Sequence, residues 1–215
     1  MKHLIIIGAG GYGRELFGIA REAVGFGSEF DIKGYLDDRL DALKGFSGYP
    51  PVLGTPEAYS PEPDDVFVAA LGDVGSRRRC VRLVESRGGR FIPIIHRSAS
   101  IGPNCVIGDG TVVAQFACVM AEARIGRHAA VFQSSVIGHD SSLGDYAHVY
   151  SLCSIGGSVR LESGAVVYPG AVVTPRRTVG ADAVVGAGST VILNVKAGST
   201  VFGSPAAPVK SGIQG

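Results

Sequence analysis

His139 and Gly157 stand eighteen residues apart, in a stretch whose repeat turns that interval into a contact. An imidazole can take a proton from an attacking nucleophile, and an uncluttered peptide N–H can receive the charge that develops on a carbonyl oxygen. A histidine with a glycine directly above it therefore reads as a place for acyl transfer. A second constellation lies near the start. In GAGGYG, Gly8, Gly10 and Gly13 have the spacing of a dinucleotide-binding turn, and Asp37 and Asp38 follow where a ribose-binding acid would sit. Such glycines let a phosphate approach backbone N–H groups at a helix N-terminus. Only about ninety residues precede the repeat, too few for both halves of a dinucleotide fold, so one nucleotide or nucleotide sugar is expected rather than a redox cofactor.

The element that must position His139 is set by a six-residue beat. Every sixth residue from Ile95 to Val191 is Ile, Leu or Val, seventeen positions in one register. That period belongs neither to a helix nor to a plain alternating strand; it is the signature of a hexapeptide parallel β-helix, three hexads to a triangular coil. The fifth residue of most hexads is small (Ala117, Ala123, Ser135, Ser141, Cys153) and the second is often Gly (Gly102, Gly108, Gly138, Gly156), expected to relieve the backbone near each corner. Residues i and i+18 then lie about 4.8 Å apart in successive coils. The sixth residues point outward and sort into three faces: an apolar one with Val112, Ala130, His148, Val166 and Val184, a small mixed one with Ser100, Cys118, Val136 and Ser154, and a charged one with Arg124 and Arg160. Two faces that can be buried and one that is wet predict self-association, most simply as a trimer. His148, alone on the apolar face, reads as a site between subunits.

The first ninety residues alternate strand and helix. HLIIIGAGGYGRELFGIA is a strand, a glycine turn and a helix; DIKGYLDD is a second strand, and VFVAALG leads into SRRRCVRLVESRG. A small Rossmann-like parallel α/β sheet follows, with at most a short strand around Val52. Domain boundaries are expected at 1–94 for this unit, 95–196 for the β-helix and 197–215 for a C-terminal tail. A net charge of +1 offers no polybasic stripe for nucleic acid, and no apolar run approaches a membrane span, so a soluble cytoplasmic protein is expected. The four cysteines lack metal or redox spacing; Cys153 falls in an inward slot, where a thiol is inert. His128, His139 and His148 occupy different phases of the hexad, a poor arrangement for a three-histidine zinc site, and no metal is expected.

GAGGYGRE, LDD at 36–38, ALG at 70–72, the hexads, IGHD at 137–140 and VFGSPA at 201–206 together resemble the NeuD/PglD-type sugar acyltransferases over essentially the whole chain. That resemblance implies a left-handed parallel β-helix and an N-acetyltransferase that moves acetyl from acetyl-CoA to the 4-amino group of a nucleotide-linked 4-amino-4,6-dideoxy sugar: GDP-perosamine, or a UDP- or dTDP-linked analogue. It implies that His139 is the general base and that Asp140 raises its basicity and fixes its tautomer. His148, Gly157, Pro169 and Ala187 match positions lining the acetyl-CoA cleft, and Gly10, Gly11, Tyr12, Asp37, Asp38 and Gly72 match the nucleotide-sugar pocket. The resemblance also implies a homotrimer with active sites between subunits. Members often carry Glu after the base and Asn seven residues before it; here Asp140 and Phe132 stand there. Ala207 and Pro208 follow the terminal PA in place of a basic residue, leaving Lys210 as the cation for a CoA phosphate. The alternatives are O-acetylation of a sialic acid or other sugar hydroxyl, a zinc hydratase, and a non-enzymatic nucleotide-binding or assembly protein.

Overall fold

The computed structural model describes residues 1–209, in two compact units, Met1–Arg97 and a second from Ser98 onward. Residues 95–97 fall with the first unit because Val24 N–H donates to Ile95 O and Arg97 N–H to Glu22 O, tying them to the end of the first helix.

The first unit is a parallel sheet of five strands: β1 (Lys2–Ile7), β2 (Phe30–Leu36), β3 (Val52–Gly54), β4 (Asp65–Ala69) and β5 (Arg90–Phe91), in the order β3-β2-β1-β4-β5. Leu4, Ile5, Ile6 and Ile7 of the central β1 are buried. A continuous apolar run of this kind is what a strand buried on both faces demands. Helix α1 (Gly11–Arg21) buries Gly13, Leu16, Ile19 and Ala20 along one side, and α2 (Val74–Glu85) buries Arg77, Val81 and Val84. The C-terminal ends of β1, β2 and β4 bring the glycine turn, Asp37–Asp38 and Ala70–Gly72 to one edge of the sheet. The strand order reverses between β1 and β4, and open parallel sheets bind ligands at that point.

The second unit is the β-helix. From Ser100–Ile101 to Thr190–Val191 its strands are two residues long, a sixth and a first hexad position, and through Val172–Val173 each pairs in parallel with the residues eighteen further on, as Val136 does with Ser154 and Ile137 with Ile155. The inward first positions from Val113 to Val191 are at most 2% exposed.

The backbone corrects one expectation about the corners. The left-handed conformation falls on the fourth hexad position, including Phe116 (φ 59°), His128 (56°), Asp140 (59°) and Leu152 (62°), and not on the second-position glycines. Those glycines answer a different constraint. A Cβ on Gly138 would lie 2.6 Å from Gly157 N, and one on Gly156 would lie 2.7 Å from Pro175 N. The next coil's backbone passes too close for any side chain.

Candidate active site

His139 occupies the third position of its hexad, immediately before a left-handed corner, and is exposed. Its Nδ1 lies 2.7 Å from Asp140 Oδ2. With an ionised carboxylate as acceptor, Nδ1 carries the proton and Nε2 keeps the lone pair, the tautomer a base needs. The ring lies against Gly157: a Cβ there would sit 2.6 Å from Nε2 and 2.8 Å from Cε1. Ser158 N–H, donating to His139 O at 2.8 Å, fixes the two coils in this register.

Two third-position N–H groups meet carboxylates at the corners. Arg127 N–H donates to Asp145 Oδ1 at 2.8 Å and Ala181 N–H to Glu162 Oε2 at 2.8 Å. Gly157 N–H occupies the same slot on the histidine's edge. In the coil above it the equivalent residue is Pro175, which has no N–H and no polar side chain. The edge thus offers a base and an outward donor with nothing larger than a glycine between them, an arrangement suited to a tetrahedral intermediate.

In the first unit Gly8 takes φ +101°, and a Cβ there would lie 2.8 Å from Ala70 O. Gly13 has no room for a side chain because Gly8 O fills the space. Helix α1 starts at Gly11 with no side-chain cap, so its first N–H groups face the turn unshielded. Asp37 has its carboxylate engaged: Oδ2 accepts from Ala9 N–H at 2.8 Å and Oδ1 from Arg39 N–H at 2.9 Å. It pins the glycine turn to the end of β2. Asp38, Gly11 and Gly72 are exposed, and Gly10 and Tyr12 half-buried, at the same sheet edge.

Residues 3–84 match the PglD N-terminal domain, and residues 93–186 match the GMPPB C-terminal domain. The GDP-perosamine N-acetyltransferase of Escherichia coli is 30% identical over 95% of both chains. The chain belongs to the NeuD/PglD-type sugar acyltransferases. The acetyltransferase domain of PglB from Neisseria gonorrhoeae, solved in complex with acetyl coenzyme A, superposes with a TM-score of 0.84 at 30% identity, covering 97% of this chain and 99% of that one. A perosamine N-acetyltransferase from Caulobacter crescentus, in complex with CoA and GDP-perosamine, shares the fold at a TM-score of 0.87 and 24% identity, with 98% of each chain covered.

Of the residues that the NeuD/PglD resemblance assigns to acetyl-CoA, Gly157 stands beside His139, whereas Pro169 and Ala187 do not. These two are exposed and stack one coil apart, with Gly188 N–H donating to Pro169 O, but on another edge of the prism. His148 lies in a ladder of stacked rings on a face of the prism. It is 1% exposed within the single chain, its ring stacked on Phe132 (4.9 Å, 6°) and on Tyr150 (4.3 Å, 8°). Val112 and Ala130 on its face are equally covered. Lys210 lies outside the described residues; Ala207 and Pro208 form a short strand antiparallel to Val201–Phe202.

Burial, outweighing bonds from neighbouring backbone N–H groups, pushes the Cys153 thiol above its ordinary value, which leaves it without the thiolate a covalent route needs. His128 stacks on Tyr146 and His148 on Tyr150, and among the described residues no group of three His, Cys, Asp or Glu side chains could hold a metal ion. The sequence reading missed a cavity of about 430 Å³ beside α1, lined by Arg14, Phe17, Gly18, Arg21 and Tyr49. Its signal was present: positions 14, 17, 18 and 21 share one helix face.

Proposed function

We propose that this chain transfers acetyl from acetyl-CoA to the 4-amino group of a nucleotide-linked 4-amino-4,6-dideoxy sugar, GDP-perosamine being the preferred acceptor and its UDP- and dTDP-linked counterparts the alternatives. The observation that carries the reading is the His139 edge: an imidazole oriented by Asp140 at 2.7 Å, lying against a glycine whose N–H occupies the outward slot. The amine nitrogen attacks the thioester carbonyl carbon, the oxygen takes the negative charge beside Gly157 N–H, and His139 Nε2 accepts the proton shed by nitrogen. The carbon–sulfur bond then breaks, and the same proton passes to the departing sulfur, giving the amide and CoA thiol.

The glycine turn and the unshielded start of α1 hold the diphosphate of the nucleotide and Asp38 accepts a hydrogen bond from its ribose or base, while Asp37 keeps the turn in shape. The protein works as a homotrimer in which one copy's His139–Gly157 edge and another's Pro169–Ala187 edge border the acetyl-CoA cleft. Their lying on separate edges of one prism supports this reading. The acceptor class is supported by the E. coli relative, a GDP-perosamine N-acetyltransferase.

Incubating the protein with acetyl-CoA and, separately, GDP-perosamine, the UDP- and dTDP-linked 4-amino sugars and their 4-hydroxy counterparts tests the reading. Mass-detected acetylation restricted to amino acceptors is expected. Transfer to the hydroxy sugars alone would overturn the assignment, and transfer to none would remove it.

A further inference from the structure

The peptide between the second and third hexad positions turns its N–H to a surface carboxylate at Arg127 and at Ala181, and its carbonyl belongs to the second position. On some corners a hydroxyl from the coil below holds that carbonyl. Thr111 Oγ1 donates to Gly126 O at 2.7 Å, and Ser135 Oγ to Tyr150 O at 2.6 Å. The first case shows what the bond accompanies. Gly126 O and Arg127 N–H belong to one trans peptide, and that N–H donates to Asp145 Oδ1 at 2.8 Å. A carbonyl that accepts a hydrogen bond makes its own N–H a stronger donor, because the peptide unit polarises as a whole.

On the histidine's edge the same device appears at one level. Ser141 is 1% exposed. Its Oγ donates to Gly156 O at 2.9 Å and accepts from Val159 N–H at 3.1 Å, bracketing the turn that contains Gly157. The peptide whose oxygen Ser141 holds is the one whose nitrogen is Gly157 N. The fifth-position residues of this edge are Cys105, Ala123, Ser141, Val159 and Arg177, so a hydroxyl stands only at the level that serves Gly157. Where Asp145 meets the outward N–H on the comparison edge, Pro175 leaves this one open to an incoming oxygen.

We propose that Ser141 is a positioning residue for acetyl transfer: buried beneath the corner, it orients and polarises the Gly156–Gly157 peptide so that Gly157 N–H meets the developing thioester oxyanion. This deepens the acetyltransferase reading and rests on it. Ser141 touches neither substrate, so its contribution belongs to the transition state and not to binding.

The test compares Ser141→Ala, Ser141→Thr, Thr111→Ala and His139→Ala in the full chain, with acetyl-CoA and the amino sugar that the wild type acetylates. Ser141→Ala is expected to lower kcat about tenfold, with both KM values within about twofold and the pH dependence of kcat/KM unmoved, because the base is untouched. Ser141→Thr restores turnover; Thr111 shows that threonine fits this slot. Thr111→Ala loses an equivalent bond on another edge and should lose comparable thermal stability with kcat unchanged. Should Ser141→Ala not fold, Ser141→Cys reads the same quantity, since Cys105 occupies the same slot with Sγ 3.0 Å from Met120 O, and its weaker donor is expected to lower kcat part-way. Wild-type kcat in Ser141→Ala or Ser141→Cys, or a raised KM with kcat intact, overturns the role. If His139→Ala is inactive while Ser141→Ala behaves like Thr111→Ala, Ser141 alone is misassigned; if His139→Ala turns over normally, the reading of the whole edge fails.

Discussion

The sheet unit and the β-helix both build a site from backbone N–H groups, yet they hold those groups in opposite ways. At the sheet edge one carboxylate, Asp37, fastens a unique turn, and the N–H groups it does not use are left at the start of α1. In the β-helix the turn is the same at every corner, and the site exists because one edge carries His139, Gly157 and Pro175 where others carry Arg127 and Asp145. The lesson is one of separability. A repeat whose coils contact chiefly their neighbours lets a side chain change with local consequences, whereas a turn fixed by a single anchor loses shape and binding together.

That contrast can be broken from either side. His139→Ala should reduce turnover by at least about a hundredfold and leave the thermal unfolding midpoint close to wild type, measured by steady-state transfer and calorimetry. Gly157→Ala places a methyl where the imidazole lies, so turnover should fall about tenfold or more, with a stability cost of about 1–3 kcal/mol from overpacking. Asp37→Ala leaves Ala9 N–H and Arg39 N–H without their acceptor. Stability should drop by about 1–3 kcal/mol, and calorimetric affinity for the free nucleoside diphosphate should weaken at least about tenfold, while kcat at saturating acceptor stays near wild type. If Asp37→Ala lowers kcat and spares affinity, the division of labour between the two units is wrong.

The smallest effect concerns acid. Asp65 is buried, and burial alone raises its carboxyl, but Glu62 N–H, Lys33 Nζ and Tyr59 Oη outweigh that and hold it below the ordinary carboxylate value. A folded-state value below the unfolded one means the stabilisation is complete above the unfolded value, near about 4, and disappears as pH falls through the folded one. The melting-temperature gap between wild type and Asp65→Asn should therefore be widest near neutrality and close on acidification. A gap that is constant with pH would remove the carboxylate's role.

Much of this was readable in advance because the β-helix interior accepts only one class of residue every six positions. Seventeen aliphatic residues in phase identify the fold, and the eighteen-residue interval then places His139 on Gly157. The corner conformation was not readable from composition. Phe116, His128 and Leu152 all adopt left-handed backbone, so the turn is imposed by the coil rather than chosen by the residue, and the glycines serve the close approach of the next coil instead. The burial of His148 was hidden for a related reason: periodicity assigns a face, but it does not reveal what else in the chain covers that face. Ser141 escaped notice because the small slot accepts Ala, Ser and Cys alike by size, and only the coordinates show that its hydroxyl reaches Gly156 O.

A crystal structure of the protein with a non-hydrolysable acetyl-CoA analogue tests the central claim most directly. The acyl oxygen is expected at about 2.9 Å from Gly157 N, beside the His139 ring. An acyl group seated on a different edge, or an oxygen turned away from that nitrogen, would contradict it.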